Sequence, residues 1–147
     1  MTLTAHALVG AALAASFSNP AIGIPLAVIS HPILDMIPHW DFGRGWRKKT
    51  KLRLVAESSI DLFIGCALSF LLFSQNVVPW YFWSAVFAAI FWDIATAPYL
   101  MWNWKFPPFN LLYQMQSKWQ GRASLTWGII YQVVTVFGVI WLLSSFK

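Results

Sequence analysis

An all-α, polytopic membrane bundle is predicted by three features of this 147-residue sequence: 59% of its residues are hydrophobic, only 10% are charged, and the apolar residues gather into long segments separated by turns or basic stretches. The mean hydropathy of +0.61 points the same way. A crossing helix needs about 20 apolar residues, so about five apolar helices, the first two short or kinked, use nearly the whole chain. The expectation is a single membrane-embedded helical domain over residues 1–147. Ten Trp, twelve Phe and four Tyr suit a thin bundle anchored at both interfaces.

The first apolar segment covers about 3–17. It lacks the basic start of a secretion signal, since no Lys or Arg precedes Arg44, and is read as a mature helix. Ser18-Asn19-Pro20 turns the chain into the second, about 21–37, punctuated by Pro25, Pro32 and Pro38. Both are short for full spans and suit a tilted or partly re-entrant hairpin. A basic loop at 44–53 follows, then a third segment at about 54–73. It holds Cys66, the single cysteine, read as a packing residue that excludes an intramolecular disulfide.

Gln75-Asn76 and Pro79 lead to a fourth segment at about 80–102. An amphiphilic stretch at 103–122 is expected along the interface, and a fifth segment at about 125–146 follows it. Nine of the ten basic residues lie in 44–53 and 103–122, which five crossings put on one side. The positive-inside rule makes that side cytoplasmic, with the N-terminus. Orientation accounts for the net charge of +5, so nucleic acid is not an expected partner.

The informative residues are scarce: five acids, Asp35, Asp41, Glu57, Asp61 and Asp93, and three histidines, His6, His31 and His39. A carboxylate near a helix centre costs about 2.5 to 3.5 kcal/mol on insertion scales, so something must compensate it. At 1.5 Å per residue, His6 and Glu57 lie roughly 5 Å from the basic side, Asp35 roughly 3 to 5 Å, His31 roughly 9 to 10 Å, and Asp61 and Asp93 roughly 10 to 14 Å. Groups from four segments thus share one half of the bilayer. Gly10 and Ala14 follow His6 on its face, and Gly65 follows Glu57 and Asp61, so each polar face is also a close-packing face. Between Pro32, suited to a helix start, and Pro38, which ends or kinks it, a short helix would carry His31 and Asp35 on one side, with His39 and Asp41 at its mouth. Imidazole and carboxylate at such spacing suit zinc or a similar divalent ion.

Thr4-Ala5-His6 opening an apolar helix, followed by His31-x-x-x-Asp35-x-x-Pro38-His39, resembles the pattern of the bacterial membrane-bound metal-dependent hydrolases, a family distantly related to zinc-dependent phospholipase C. The resemblance covers mainly the first 41 residues. It implies a hydrolytic reaction and a divalent-metal site built from His6, His31 and Asp35, with His39. The depth argument adds Asp61 as a further ligand and Glu57 or Asp93 as proton acceptor. Arg47, Lys48 and Lys51 are candidates to hold a lipid headgroup or phosphate.

The absence of H-E-x-x-H, G-x-S-x-G and phosphate-cradling glycine loops disfavours zincin, serine-hydrolase and P-loop chemistry. The expected function is therefore a membrane-embedded divalent-metal-dependent hydrolase, with zinc the expected metal by ligand type, acting on a lipid or phosphoester near the cytoplasmic leaflet. Two other classes compete. One is a small proton- or ion-coupled transporter or channel subunit that relays charge between Asp61 and Asp93 and needs a homo-oligomer; the other is a non-enzymatic assembly factor. In the plainest reading Glu57 only pairs with a basic residue such as Lys51 or Arg53.

Overall fold

The computed structural model describes residues 1–145, whose regular structure is helical. Seven α-helices follow in order: α1 Leu3–Ser16, α2 Pro20–Asp35, α3 Lys51–Phe73, α4 Pro79–Ala89, α5 Phe91–Trp102, α6 Phe109–Trp119 and α7 Leu125–Ser144. The five apolar segments expected from sequence become six helices, and α6 forms within the amphiphilic stretch.

Among the described residues, only α3, extended to Asn76 by a short 3-10 turn, and α7 are individually long and apolar enough to cross a membrane. The fourth segment is broken at Ile90, whose φ of −99° and ψ of 4° interrupt the helix, and α4 and α5 meet at a bend of 50°. Counted as one span they make a third. The expectation of five crossings is corrected accordingly: α1 and α2, with 14 and 16 residues, reach about 21 and 24 Å against a hydrocarbon core of about 30 Å.

The short helices form the centre. α1 packs against α2, α3, α4 and α7, and nine of its residues from Ala5 to Ala14 are buried. Small residues permit this. A Cβ on Gly10 would lie 2.7 Å from the Ala85 carbonyl oxygen of α4, and one on Gly65 would lie 2.8 Å from the Thr4 Cα. The outer surfaces of α3 and α7 are apolar and exposed, with Phe63, Leu71, Phe137 and Trp141 each at least 70% accessible. That is the pattern of helices that face lipid. Cys66 packs against the core around Ala7, Phe82 and Ile90, as expected.

A second correction concerns Pro32, which does not open a helix. α2 runs through both Pro25 and Pro32 to Asp35. Pro32 cannot donate the backbone hydrogen bond that the Val28 carbonyl would receive in a helix. The Trp92 indole N–H of α5 donates to that carbonyl instead, at 3.2 Å. A lost backbone bond thereby becomes a tie between α2 and α5.

Replacing Gly10 by Leu forces a side chain into the Ala85 carbonyl and the Ala89 methyl. The expected cost is about 1 to 3 kcal/mol, read as a lower melting temperature in detergent. An unchanged melting temperature would mean that α1 and α4 are not in such close contact.

Candidate metal centre

Asp35 ends α2 with 1% of its surface exposed, and three imidazoles surround it. Its Oδ1 lies 3.2 Å from His6 Nε2 and 3.7 Å from His39 Nε2, and its Oδ2 lies 3.4 Å from His31 Nε2. The Met1 amine also donates to Oδ1, and it sits 2.9 Å from His39 Nε2. His6, His31 and His39 are at most 2% exposed. The His6 and His31 rings stack with centroids 3.7 Å apart.

Local structure orients each ring. The break at Ile90 leaves carbonyls at the end of α4 without helical partners, and His31 Nδ1–H donates to the Ala89 carbonyl at 2.6 Å. His39 Nδ1–H donates to the Ile37 carbonyl at 2.8 Å. With Nδ1 protonated in each ring, a neutral His31 or His39 turns the lone pair of Nε2 toward carboxylate oxygens. The Met1 amine, 2.9 Å from His39 Nε2, and the Gln116 amide, 3.4 Å from His31 Nε2, stand at these nitrogens. Buried His6 Nδ1 has no hydrogen-bond partner.

Asp93, in the first turn of α5, completes the group. Its Oδ1 is 3.7 Å from His31 Nε2, and donor atoms from His6, His31 and Asp93 all lie within 4.8 Å of one another. Two nitrogens and a carboxylate oxygen, with the Asp35 carboxylate alongside, fit a divalent transition-metal ion such as zinc in donor type. The unpartnered His6 Nδ1 fits the same interpretation. At the edge, Asp41 Oδ2 lies 3.5 Å from His39 Nε2. Burial works to raise the Asp41 carboxyl, but His39 and the Met1 amine outweigh it and hold the group below its ordinary range.

Two glutamines of the α6 region, which composition and spacing did not single out, close the cluster. Gln116 Nε2 donates to Asp93 Oδ1 at 2.8 Å and lies 3.4 Å from both Asp35 Oδ2 and His31 Nε2. Gln120 Nε2 donates to Asp41 Oδ2 at 2.7 Å and lies 3.3 Å from His39 Nε2. Their separation of four residues, within the amphiphilic stretch, was the one available signal. The following segment docks beside them, with Gly121 N–H bonded to the Asp35 carbonyl and Ala123 N–H to the His39 carbonyl.

Two expected members lie elsewhere. Asp61 accepts hydrogen bonds from the Leu3 and Thr4 backbone N–H groups at 2.7 and 3.1 Å and from the Thr4 hydroxyl at 2.7 Å. Both its oxygens satisfy the start of α1, where free N–H groups favour an anion, so it is a helix anchor in place of the expected ligand. Glu57 pairs with Lys49 and with Arg53, the latter at 2.7 Å, and joins no contact with the histidines. The pairing reading was therefore the right one for it, with Lys49 in place of Lys51. Arg47, which stacks over Trp46, and Lys48 and Lys51 are exposed, with no contact to the cluster. No protein-family model, curated protein or solved structure matches this chain.

Asp61→Ala removes three hydrogen bonds from the first turn of α1. The expected loss is about 1 to 3 kcal/mol, with faster hydrogen exchange of the Leu3 and Thr4 amides. Unchanged exchange there would show that Asp61 does not anchor the helix.

Proposed function

We propose that this chain is a membrane-embedded, divalent-metal-dependent hydrolase acting on a lipid or phosphoester at the membrane interface. The convergence of His6, His31 and Asp93 donor atoms within 4.8 Å, around the buried Asp35 carboxylate, carries this reading. The resemblance of Thr4-Ala5-His6 and His31-x-x-x-Asp35-x-x-Pro38-His39 to the membrane-bound metal-dependent hydrolases supports the same reading of these residues. So does the commitment of Asp61 to the start of α1, which removes one station of the rival proton relay.

In this reading His6, His31 and Asp93 hold the ion, and Asp35 balances its charge. A divalent ion so held supplies Lewis acidity toward water and a phosphoryl or acyl oxygen. With its Nδ1–H engaged by the Ile37 carbonyl, His39 would offer Nε2, which the Met1 amine approaches at 2.9 Å, as the proton acceptor for water, and Asp41 would stabilise the resulting imidazolium. Gln116 keeps Asp93 oriented. The inner membrane, with the basic loops and the N-terminus cytoplasmic, is part of the same proposal.

The test is metal analysis of the purified protein paired with hydrolysis of phospholipid and phosphoester probes. His6→Ala, His31→Ala and Asp35→Ala are expected to lose the bound ion and the activity, whereas Glu57→Gln keeps both. Metal content unaffected by all three substitutions would overturn the site. Gln116→Ala is expected to weaken metal affinity by roughly 10 to 100-fold without loss of folding, as removal of a group that orients a ligand does. Affinity equal to that of the unaltered protein would remove Gln116 from this role.

A further inference from the structure

We propose that a groove between α1 and α7 holds an acyl chain of a membrane phospholipid and delivers its headgroup to the His–Asp cluster. The groove has a volume of about 200 Å³ and is walled by Ala5 and Leu8 of α1 and by Ile129, Val133, Val136 and Phe137 of α7. α1 and α7 run side by side in the same direction, with Thr2 beside Gln132 at one end and Ser16 beside the Leu143 carbonyl at the other.

The groove is polar at one end only. Gln132, 5% exposed within an apolar helix, accepts from the Thr2 N–H at 2.8 Å and donates to the Trp40 carbonyl at 2.7 Å. Thr2 follows Met1, and Trp40 follows His39, so this end abuts the cluster. From there toward Leu8 and Phe137 the walls are apolar. Near the start of α7, Arg44 donates to the Ala123 carbonyl, and Arg122 is exposed in the same segment. A ligand matching this order has an anionic or polar head and a hydrocarbon tail.

The bilayer is the source of such a ligand. α7 is long and apolar enough to cross the membrane, and Ile129, Val133 and Phe137 belong to its exposed apolar surface. The groove is therefore continuous with the face that meets lipid, and a chain can enter sideways without passing through water. Delivery of the headgroup as a substrate rests on the hydrolase reading; occupancy of the groove does not.

The experiment uses the full chain in phosphatidylglycerol vesicles containing a phospholipid with a photoreactive acyl chain, and maps the labelled residues by mass spectrometry. Labelling is expected to concentrate on Leu8, Val133 and Phe137. Val133→Trp fills the groove and is expected to cut labelling there about tenfold, the loss that follows when about two methylenes lose their burial. Val134→Trp, on an exposed neighbour outside the groove, leaves it unchanged. Val133 is itself about half exposed, so its replacement leaves the core intact. His31→Ala retains the labelling, so activity lost with labelling kept separates the metal proposal from the lipid proposal. Uniform labelling along α7, indifference to Val133→Trp, or cross-links that join two copies of the chain in place of lipid would each overturn the groove assignment.

Discussion

A carboxylate that water cannot reach, Asp35, is the constraint around which the centre of this molecule is arranged. Its burial is tolerable because imidazoles from α1, α2 and the following loop converge on it, together with the Met1 amine. Those partners require α1 and α2 to lie side by side, and the α1 stripe of small residues is what lets α4 close over them. Removing the negative charge would leave the histidines with less reason to gather than the packing alone provides.

The two helices that are individually long and apolar enough to cross a membrane act as a frame for this interior. α3 contributes Asp61, which ties down the beginning of α1 and so determines where His6 stands one turn later. α7 contributes Gln132, which links the same beginning to the strand of chain carrying His39. The polar residues of this interior thus divide into two kinds. Asp61 and Gln132 satisfy backbone groups, whereas the histidines and Asp93 face one another.

Much of this was legible from residue type and spacing. His6, His31 and Asp35 stood out because polar groups are costly in apolar helices, His39 joined them through the family resemblance, and the Gly10 and Gly65 stripes predicted the close contacts. Asp61 was misjudged because depth along a helix gives a residue's height but not its neighbours, and its true partners are backbone N–H groups that no side-chain pattern reveals. The break at Ile90 escaped notice for a related reason: residues on both sides are uniformly apolar, and no Gly or Pro marks the position. Gln116 and Gln120 were hidden by being ordinary polar residues of an amphiphilic stretch. Their importance arises only when α6 folds over the cluster.

The indole of Trp92 on the Val28 carbonyl has a consequence for how the centre can move. Pro32 adjoins His31 and Trp92 adjoins Asp93, so one hydrogen bond staples together the two helix turns that present these groups. A shift of α5 away from α2 would expose a carbonyl that has no helical donor of its own. The distance between His31 and Asp93 is thereby guarded by a vacancy in the backbone, and the proline that weakens α2 makes the pair of helices stiffer than either is alone.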